Sequence, residues 1–166
     1  MTEQSTLDRD RAAAAAVESH HAAMARALAD AVRSLTGAAR TGHLAEAEAH
    51  RRELLGWCRG ELLPHALAEE STMYDAAGAL PEGRLLVEAM RAEHGAIGAL
   101  VDELDQTTEP VAAAALGRAV EAVFEVHLAK ENEQVLPLLL ATPGISVADL
   151  LGGMHQLLGG GGPDGH

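Results

Sequence analysis

The sequence predicts an all-α fold: an up-down-up-down antiparallel four-helix bundle with a short C-terminal helix and a flexible tail. Alanine, leucine and glutamate are abundant among the 166 residues, whereas β-branched and aromatic residues are sparse, a balance that favours helix over sheet. Apolar residues also recur at helical spacing, and turn-forming segments divide the chain at four places. We assign residues 7–141 to the bundle and residues 142–166 to the extension.

Four segments that disfavour helix separate the predicted elements. The helices are expected over 7–40, 43–77, 82–106 and 110–141. The breakers that end them are Thr41-Gly42, Gly78 to Gly83, Thr107 to Pro110 and Thr142-Pro143-Gly144. Because the connections are short, consecutive helices should be antiparallel neighbours.

Two of the predicted helices carry an apolar stripe with one histidine in it. Such a stripe marks the face that a helix turns toward the core. The first stripe consists of Val17, His21, Met24, Leu28, Val32 and Leu35, and the second of Leu86, Met90, His94, Ile97, Val101 and Leu104. The two histidines are therefore expected inside the bundle.

The extension contains one further apolar segment, VADLLGGMHQLL, followed by GGGGPDGH. The first segment can form a short fifth helix, although its two adjacent glycines weaken an isolated helix by about 1 kcal/mol each. We expect this helix to dock on the end of the bundle, with a free appendage as the alternative. The glycine-rich end should be disordered.

Charge and composition exclude several classes of partner. The formal net charge of −13 repels phosphate backbones, and three aromatic residues provide no platform for stacking bases. Nucleic acid is therefore not an expected partner. No apolar run is long enough to span a membrane, no secretory leader is recognisable, and a single cysteine, Cys58, cannot form an intrachain disulfide. These features predict a cytoplasmic protein without a membrane partner.

The sequence also contains an internal repeat. Residues 20–28, HHAAMARAL, resemble residues 93–101, EHGAIGALV, and residues 63–74, LPHALAEESTMY, resemble residues 125–136, EVHLAKENEQVL. Two helix pairs thus share one plan, in which a lone histidine is followed by the motif H-x-x-x-E.

The repeated residues form a candidate metal site. In a helix, residues four apart lie on one face about 5–6 Å apart, so His65 with Glu69, and His127 with Glu131, can each bind one cation. Counting residues to each turn places the lone histidines near the same height in the bundle. Imidazoles and carboxylates without a thiolate suit a dinuclear iron or manganese centre, in which the carboxylates would bridge the ions.

His21, His65-x-x-x-Glu69, His94 and His127-x-x-x-Glu131, on four helices in this order, resemble the hemerythrin/HHE cation-binding family. The resemblance covers roughly residues 12–141. It implies a non-heme diiron four-helix bundle in which these six residues are the ligands of two iron ions, with manganese or zinc as alternatives. It also implies a small diatomic or peroxide ligand, that is, oxygen, nitric oxide or hydrogen peroxide.

Two departures from the oxygen-carrying members of that family bear on function. Those carriers have a fifth histidine one turn after the histidine of the third helix, where this chain has Gly98, and the fourth-helix motif here ends in Glu131 instead of an aspartate. One iron thus loses a nitrogen ligand, which leaves an open position near Gly98. We expect reaction with oxygen, nitric oxide or peroxide, including catalase-like or peroxidase turnover. The alternative is an oxygen- or iron-sensing module without turnover.

Three further residues are possible additions to the site. His20 adjoins His21, and either of the two could be the ligand; the repeat favours His21. Glu70 could hydrogen-bond to a ligand or face solvent. His155, on the short C-terminal helix, could close over the bundle end, although the six ligands already account for two ions.

The remaining polar and unusual residues have simpler interpretations. Pro64 should kink the second helix and re-aim His65, or else mark a break between two helices. Cys58 is interpreted as a buried structural thiol, and Tyr74 is expected to pack against the bundle. His43 and His50 lie among charged residues and receive no role.

Overall fold

The described part of the chain folds into four long helices and one short helix, which confirms the predicted all-α class. The computed structural model describes the backbone of residues 3–159 and the side chains of residues 4–154. The first helix, α1, spans Glu3–Thr41, and the third bundle helix, α5, spans Arg84–Gln106. None of the helices among these residues is long and apolar enough to cross a membrane.

The second and fourth bundle helices are continuous but change their winding. The second consists of α2 (Leu44–Trp57), a π-helical segment (Cys58–Leu62), α3 (Leu63–Glu69), a second π-helical segment (Glu70–Tyr74) and α4 (Asp75–Gly78). The fourth consists of α6 (Pro110–Lys130), a π-helical segment (Glu131–Val135) and α7 (Leu136–Ala141). The short C-terminal helix, α8, spans Val147–Gly159.

The ends of the helices have identifiable chemical causes. Gly42 takes a positive φ of 74° after α1, a conformation that glycine adopts without the steric cost of a Cβ. At the start of α6, the Glu109 carboxylate accepts hydrogen bonds from the backbone nitrogens of Val111 and Ala112 at 3.0 and 2.6 Å. Pro110 follows this cap at the first helical turn, where its missing N–H costs nothing.

Pro64 lies inside the continuous second helix, so the interpretation of Pro64 as a break between two helices is wrong. The π-helical segment Cys58–Leu62 ends immediately before Leu63 and Pro64. A π turn shifts the hydrogen-bond register, which accommodates a residue without an N–H and with a bulky ring. Pro137 has the same relation to the segment Glu131–Val135. In both helices the proline is therefore tolerated through a local change of winding.

The apolar interior forms two clusters, one on each side of the histidines. Along α1, Val17 belongs to one cluster and Met24 and Leu28 to the other, with His21 between them. The third bundle helix repeats this order, since Met90 belongs to the first cluster and Ile97 to the second. The candidate ligands thus lie in a polar layer between two hydrophobic cores.

The C-terminal helix α8 is docked on the bundle. Its side chains Val147, Leu151 and Met154 are buried in the same cluster as Val17. It packs against α1, against α3 and against the π-helical segment Glu70–Tyr74. The glycine-rich end, 160–166, lies outside the described residues, and so does the side chain of His155.

Candidate metal centre

The structure brings the six predicted ligands together in the middle of the bundle, each from the helix that the sequence predicts. His21, His65 and His127 are 1–3% exposed, and the side chain of His94 is 8% exposed. Glu69 and Glu131 are 1% and 0% exposed. Six ionisable side chains at this depth need compensation by hydrogen bonds or by a cation.

One group of three residues, on α1 and α3, could hold a cation. His65 Nε2 lies 2.7 Å from Glu69 Oε1, and His21 Nε2 lies 3.2 Å from the same oxygen. The ligand atoms of the three residues all lie within 4.8 Å of one another. The i,i+4 spacing of His65 and Glu69 accounts for their contact, whereas His21 is brought in by the packing of α1.

A second group, which also includes Glu69, lies beside the first. His94 Nε2 lies 3.6 Å from Glu69 Oε2 and 3.0 Å from the Nε2 of His127. These three residues also offer ligand atoms within 4.8 Å of one another. Glu69 thus turns one carboxylate oxygen toward each group, as a ligand bridging two cations would.

Glu131 extends across the same two groups from the fourth bundle helix. Its Oε2 lies 3.5 Å from His21 Nε2, and its Oε1 lies 3.7 Å from His127 Nε2. Glu131 is not a member of either three-residue group. One of its oxygens faces a histidine of the first group, and the other faces a histidine of the second. Both carboxylates therefore lie between the histidines of the two groups.

Burial and mutual repulsion make the two carboxylates unequal in protonation. Burial opposes ionisation of Glu69, but its interactions with His21 and His65 outweigh this, and its pKa lies below its usual range. Burial, together with the nearby negative charge of Glu69, raises the pKa of Glu131 well above its usual range. Without a cation, the site thus favours one charged and one protonated carboxyl group.

Several buried atoms of the site lack hydrogen-bond partners. These atoms are Nδ1 and Nε2 of His65 and Oε2 of Glu131. The 2.7 Å contact between His65 Nε2 and Glu69 brings the two atoms close but lacks the alignment of a hydrogen bond. Buried polar atoms are otherwise nearly always paired. Unpaired nitrogen and oxygen atoms among the candidate ligands fit the binding of a cation.

The facing nitrogens of His94 and His127 lead to the same conclusion. The Nδ1 of each ring lies within hydrogen-bond distance of a carboxylate, which can only accept, so the proton of each neutral ring belongs on Nδ1. Both Nε2 atoms then carry lone pairs, and they face each other at 3.0 Å. Burial and the neighbouring His94 lower the pKa of His127 to about 4. A cation between the rings would relieve this arrangement.

Tyr74 belongs to the site, which corrects the expectation that it only packs against the bundle. Its hydroxyl donates to Glu131 Oε1 at 2.5 Å and lies 3.0 Å from His127 Nε2. Its ring stacks on that of His94, with centroids 5.4 Å apart. The one signal in the sequence was its departure from the repeat, where the second copy has Leu136. The phenol oxygen is a further donor that could hold a metal ion.

The possible additional residues have different surroundings. Glu70 Oε1 lies 2.8 Å from His94 Nδ1, so Glu70 supports a candidate ligand and does not simply face solvent. His20 is exposed and belongs to neither ligand group, although its ring centroid lies 5.1 Å from that of His65. His21, the alternative that the repeat favours, is the one that faces the carboxylates.

A small apolar pocket adjoins the candidate ligands on one side. Its cavity volume of about 10 Å³ has room for one water-sized molecule. The pocket is lined by Leu62, Leu63, His65, Ala66, Glu69, His94, Ile97 and Phe124. Gly98 is not part of this lining, but a Cβ added there would meet nothing within 4 Å.

Cys58 is fully buried in the hydrophobic cluster that contains Leu28. Burial raises the pKa of its thiol to about 12. The reactive form of cysteine is the thiolate, so this thiol is held in its unreactive form. Its surroundings agree with the interpretation of Cys58 as a structural residue.

Comparison with known proteins agrees with the ligand pattern. The family model described as hemerythrin HHE cation binding domain matches residues 12–139. No curated protein and no solved structure matches the chain. The matched range begins within α1 and ends within α7, so it contains all six histidine and glutamate residues of the site. The chain belongs to the hemerythrin family of HHE cation-binding domains.

Proposed function

We propose that the protein binds two iron ions in its polar layer and reacts there with a small ligand: oxygen, nitric oxide or hydrogen peroxide. The observation that carries this proposal is the pair of three-residue ligand groups that share Glu69. Each group offers two imidazoles and one shared carboxylate, a donor set that suits iron or manganese better than an all-nitrogen or thiolate site would. Zinc or manganese is the alternative metal.

The residues of the polar layer would have different roles in this two-ion site. His21 and His65 would hold one ion and His94 and His127 the other, and Glu69 and Glu131 would supply carboxylate oxygens to both. The phenol of Tyr74 donates a hydrogen bond to Glu131 and holds that oxygen in place. Burial and the nearby carboxylates raise the pKa of the phenol, so Tyr74 keeps its proton. The two hydrophobic clusters exclude bulk water from the layer. When bound, an iron pair supplies a redox-active Lewis acid.

The size of the adjacent pocket supports a small ligand. Room for one water-sized molecule beside His65, Glu69 and His94 matches the scale of oxygen, nitric oxide or peroxide. The open iron position near Gly98 stays a prediction: Gly98 is not part of the pocket lining, although His94, one turn before it, is. We propose the disproportionation of hydrogen peroxide to water and oxygen as the turnover reaction, because it needs no further reductant. The compartment that we propose is the cytoplasm.

Metal analysis of the purified protein tests the proposal. We expect about two iron ions per chain, together with near-ultraviolet charge-transfer absorption that zinc does not give. His65→Ala and Glu131→Ala should each lower the iron content and the thermal stability, because metal binding is linked to folding. His43→Ala, which changes an exposed histidine, is the control. Unchanged iron content in both site variants would refute the assignment of ligands.

Peroxide consumption separates the enzyme from a sensor. The iron-loaded protein should consume hydrogen peroxide and release oxygen in a ratio of two to one. A protein that binds two irons and changes its spectrum with oxygen or nitric oxide, yet consumes no peroxide, would instead be a sensing or metal-binding module without turnover.

A further inference from the structure

The two halves of the candidate metal centre differ in what supports their imidazoles from outside. On the side of His94 and His127, each ring donates its Nδ1 proton to a carboxylate. Glu70 Oε1 accepts from His94 at 2.8 Å, and Glu93 Oε2 accepts from His127 at 3.0 Å. Lys130 also pairs with Glu93. Both imidazoles of this half therefore have an anionic partner.

In the other half, neither imidazole has a carboxylate at its Nδ1 among the described residues. His21 Nδ1 lies 2.9 Å from the side-chain oxygen of Asn132, an uncharged acceptor. His65 Nδ1 has no hydrogen-bond partner, and the residue beside it is His20, whose ring meets that of His65 edge-on at 5.1 Å. Two carboxylates therefore accept from the Nδ1 atoms of one half, whereas a single amide oxygen does so in the other half.

The internal repeat shows how the sequence produces this contrast. Asn132 in the second H-x-x-x-E motif corresponds to Glu70 in the first, and His20 before the first lone histidine corresponds to Glu93 before the second. Each of these residues lies beside an imidazole of a different helix. Both acidic members of the two pairs thus support the same half of the centre.

A carboxylate behind an imidazole has two effects on a bound cation. It holds the ring in the tautomer with a free Nε2 lone pair, and it makes that nitrogen a stronger donor. An amide oxygen also fixes the tautomer, but it strengthens the nitrogen as a donor less than a carboxylate does. Loss of one such partner typically costs about 10–100-fold in metal affinity.

We propose that the two cation positions are unequal: the half formed by His94 and His127 holds its ion more tightly than the half formed by His21 and His65. Glu70 and Glu93 are the positioning residues that produce the difference. This inference rests on the proposed two-ion centre and adds the order in which its halves fill. The unequal support predicts a ratio of affinities of about 10–100-fold between the two halves.

Competition of zinc-loaded protein against increasing chelator measures the two affinities directly. Zinc retained per chain should fall from two to zero in two separate steps. His65→Ala should remove the weaker step and leave the tighter one. A single step for both ions, or loss of the tighter step in His65→Ala, would overturn the inference while leaving the two-ion centre intact. Fewer than two zinc ions in the loaded protein would overturn both.

Isosteric variants test the role of the two carboxylates. Glu70→Gln should weaken the tighter step by about 10–100-fold and leave the weaker step in place. Glu93→Gln should have a smaller effect, because Lys130 already offsets part of its charge. The matched control is Glu53→Gln, which makes the same change beside the surface residue His50. A purely structural role of Glu70 would shift both steps together, which would overturn the proposal.

The repeat also supplies the reverse experiment. Asn132→Glu places on the weaker half the residue that the first motif has at this position. It should tighten the weaker step by about 10–100-fold and bring the two steps together. Tightening of the stronger step instead would contradict the assignment of Asn132 to His21.

Discussion

Replacing Asp10 tests how the C-terminal helix is attached to the bundle. Asp10 is 6% exposed, and its Oδ1 accepts from Ser146 Oγ at 2.7 Å and from the backbone nitrogen of Ala148 at 3.0 Å. It therefore caps the N-terminal end of α8 from a different helix. The neighbouring Arg9 pairs with Asp149 at 2.7 Å, so this end of α8 is attached to α1 twice.

The size of the effect follows from these contacts. A hydrogen bond to a charged group contributes about 1.5–3 kcal/mol, and loss of a helix cap costs about 1 kcal/mol. Full undocking of α8 would also expose Val147, Leu151 and Met154, at about 1.5–3 kcal/mol each, so the cheaper response is for α8 to stay docked. We expect Asp10→Ala to lower the free energy of unfolding by about 2 kcal/mol, or Tm by about 4–8 °C for a chain of this length.

The contribution of Asp10 to stability should depend on pH in a direction set by the shift of its pKa. Burial opposes ionisation of Asp10, but the hydrogen bonds from Ala148 and Ser146 and the charge of Arg9 outweigh it, so the pKa of Asp10 is lowered in the folded protein. Its contribution to stability is therefore present above the pKa of the unfolded chain, about 3.9, and is lost as the pH falls through the lower folded value. The difference in stability between wild type and Asp10→Ala should shrink toward pH 3.

Unfolding of the metal-free protein in urea and on heating, followed by circular dichroism, is the measurement. Asp8→Ala is the matched control, because Asp8 is exposed and its contact with Arg11 spans 4.0 Å. It should change the free energy of unfolding by less than about 0.5 kcal/mol. Equal destabilisation by both variants, or a difference that persists unchanged at pH 3, would refute the reasoning.

Four other substitutions have defined outcomes. Gly83→Ala should destabilise the metal-free protein by about 1–3 kcal/mol, because a Cβ there would lie 2.1 Å from the Ala77 carbonyl oxygen. Gly56→Ala should instead stabilise it by about 0.5–1 kcal/mol in the same urea titration, because a Cβ added to this helical residue would meet nothing within 4 Å. Tyr74→Phe should cost about 1–3 kcal/mol in the metal-free protein, since it removes a buried hydrogen bond to a carboxyl group; an unchanged unfolding midpoint would contradict that contact. Gly98→His should alter the spectrum of the iron-loaded protein and lower its peroxide turnover. Higher turnover or an unchanged spectrum would contradict the prediction of an open iron position near Gly98.

The sequence by itself determined the helices and the set of candidate ligands. Helix formation depends on spacing along one chain, so the stripe through His21 and the breakers at Gly42 and Pro110 were sufficient to locate elements to within a few residues. The pairing of His65 with Glu69 is equally local, because residues four apart on a helix always share a face.

Only the tertiary structure decided which groups meet across helices. The contact of Tyr74 with Glu131 joins the second and fourth bundle helices, and that of Glu70 with His94 joins the second and third. The period of a helix says which face a residue occupies but not which side chain of another helix lies opposite. That depends on the height and rotation at which the helices pack, and these are fixed by the interlocking of many apolar side chains at once.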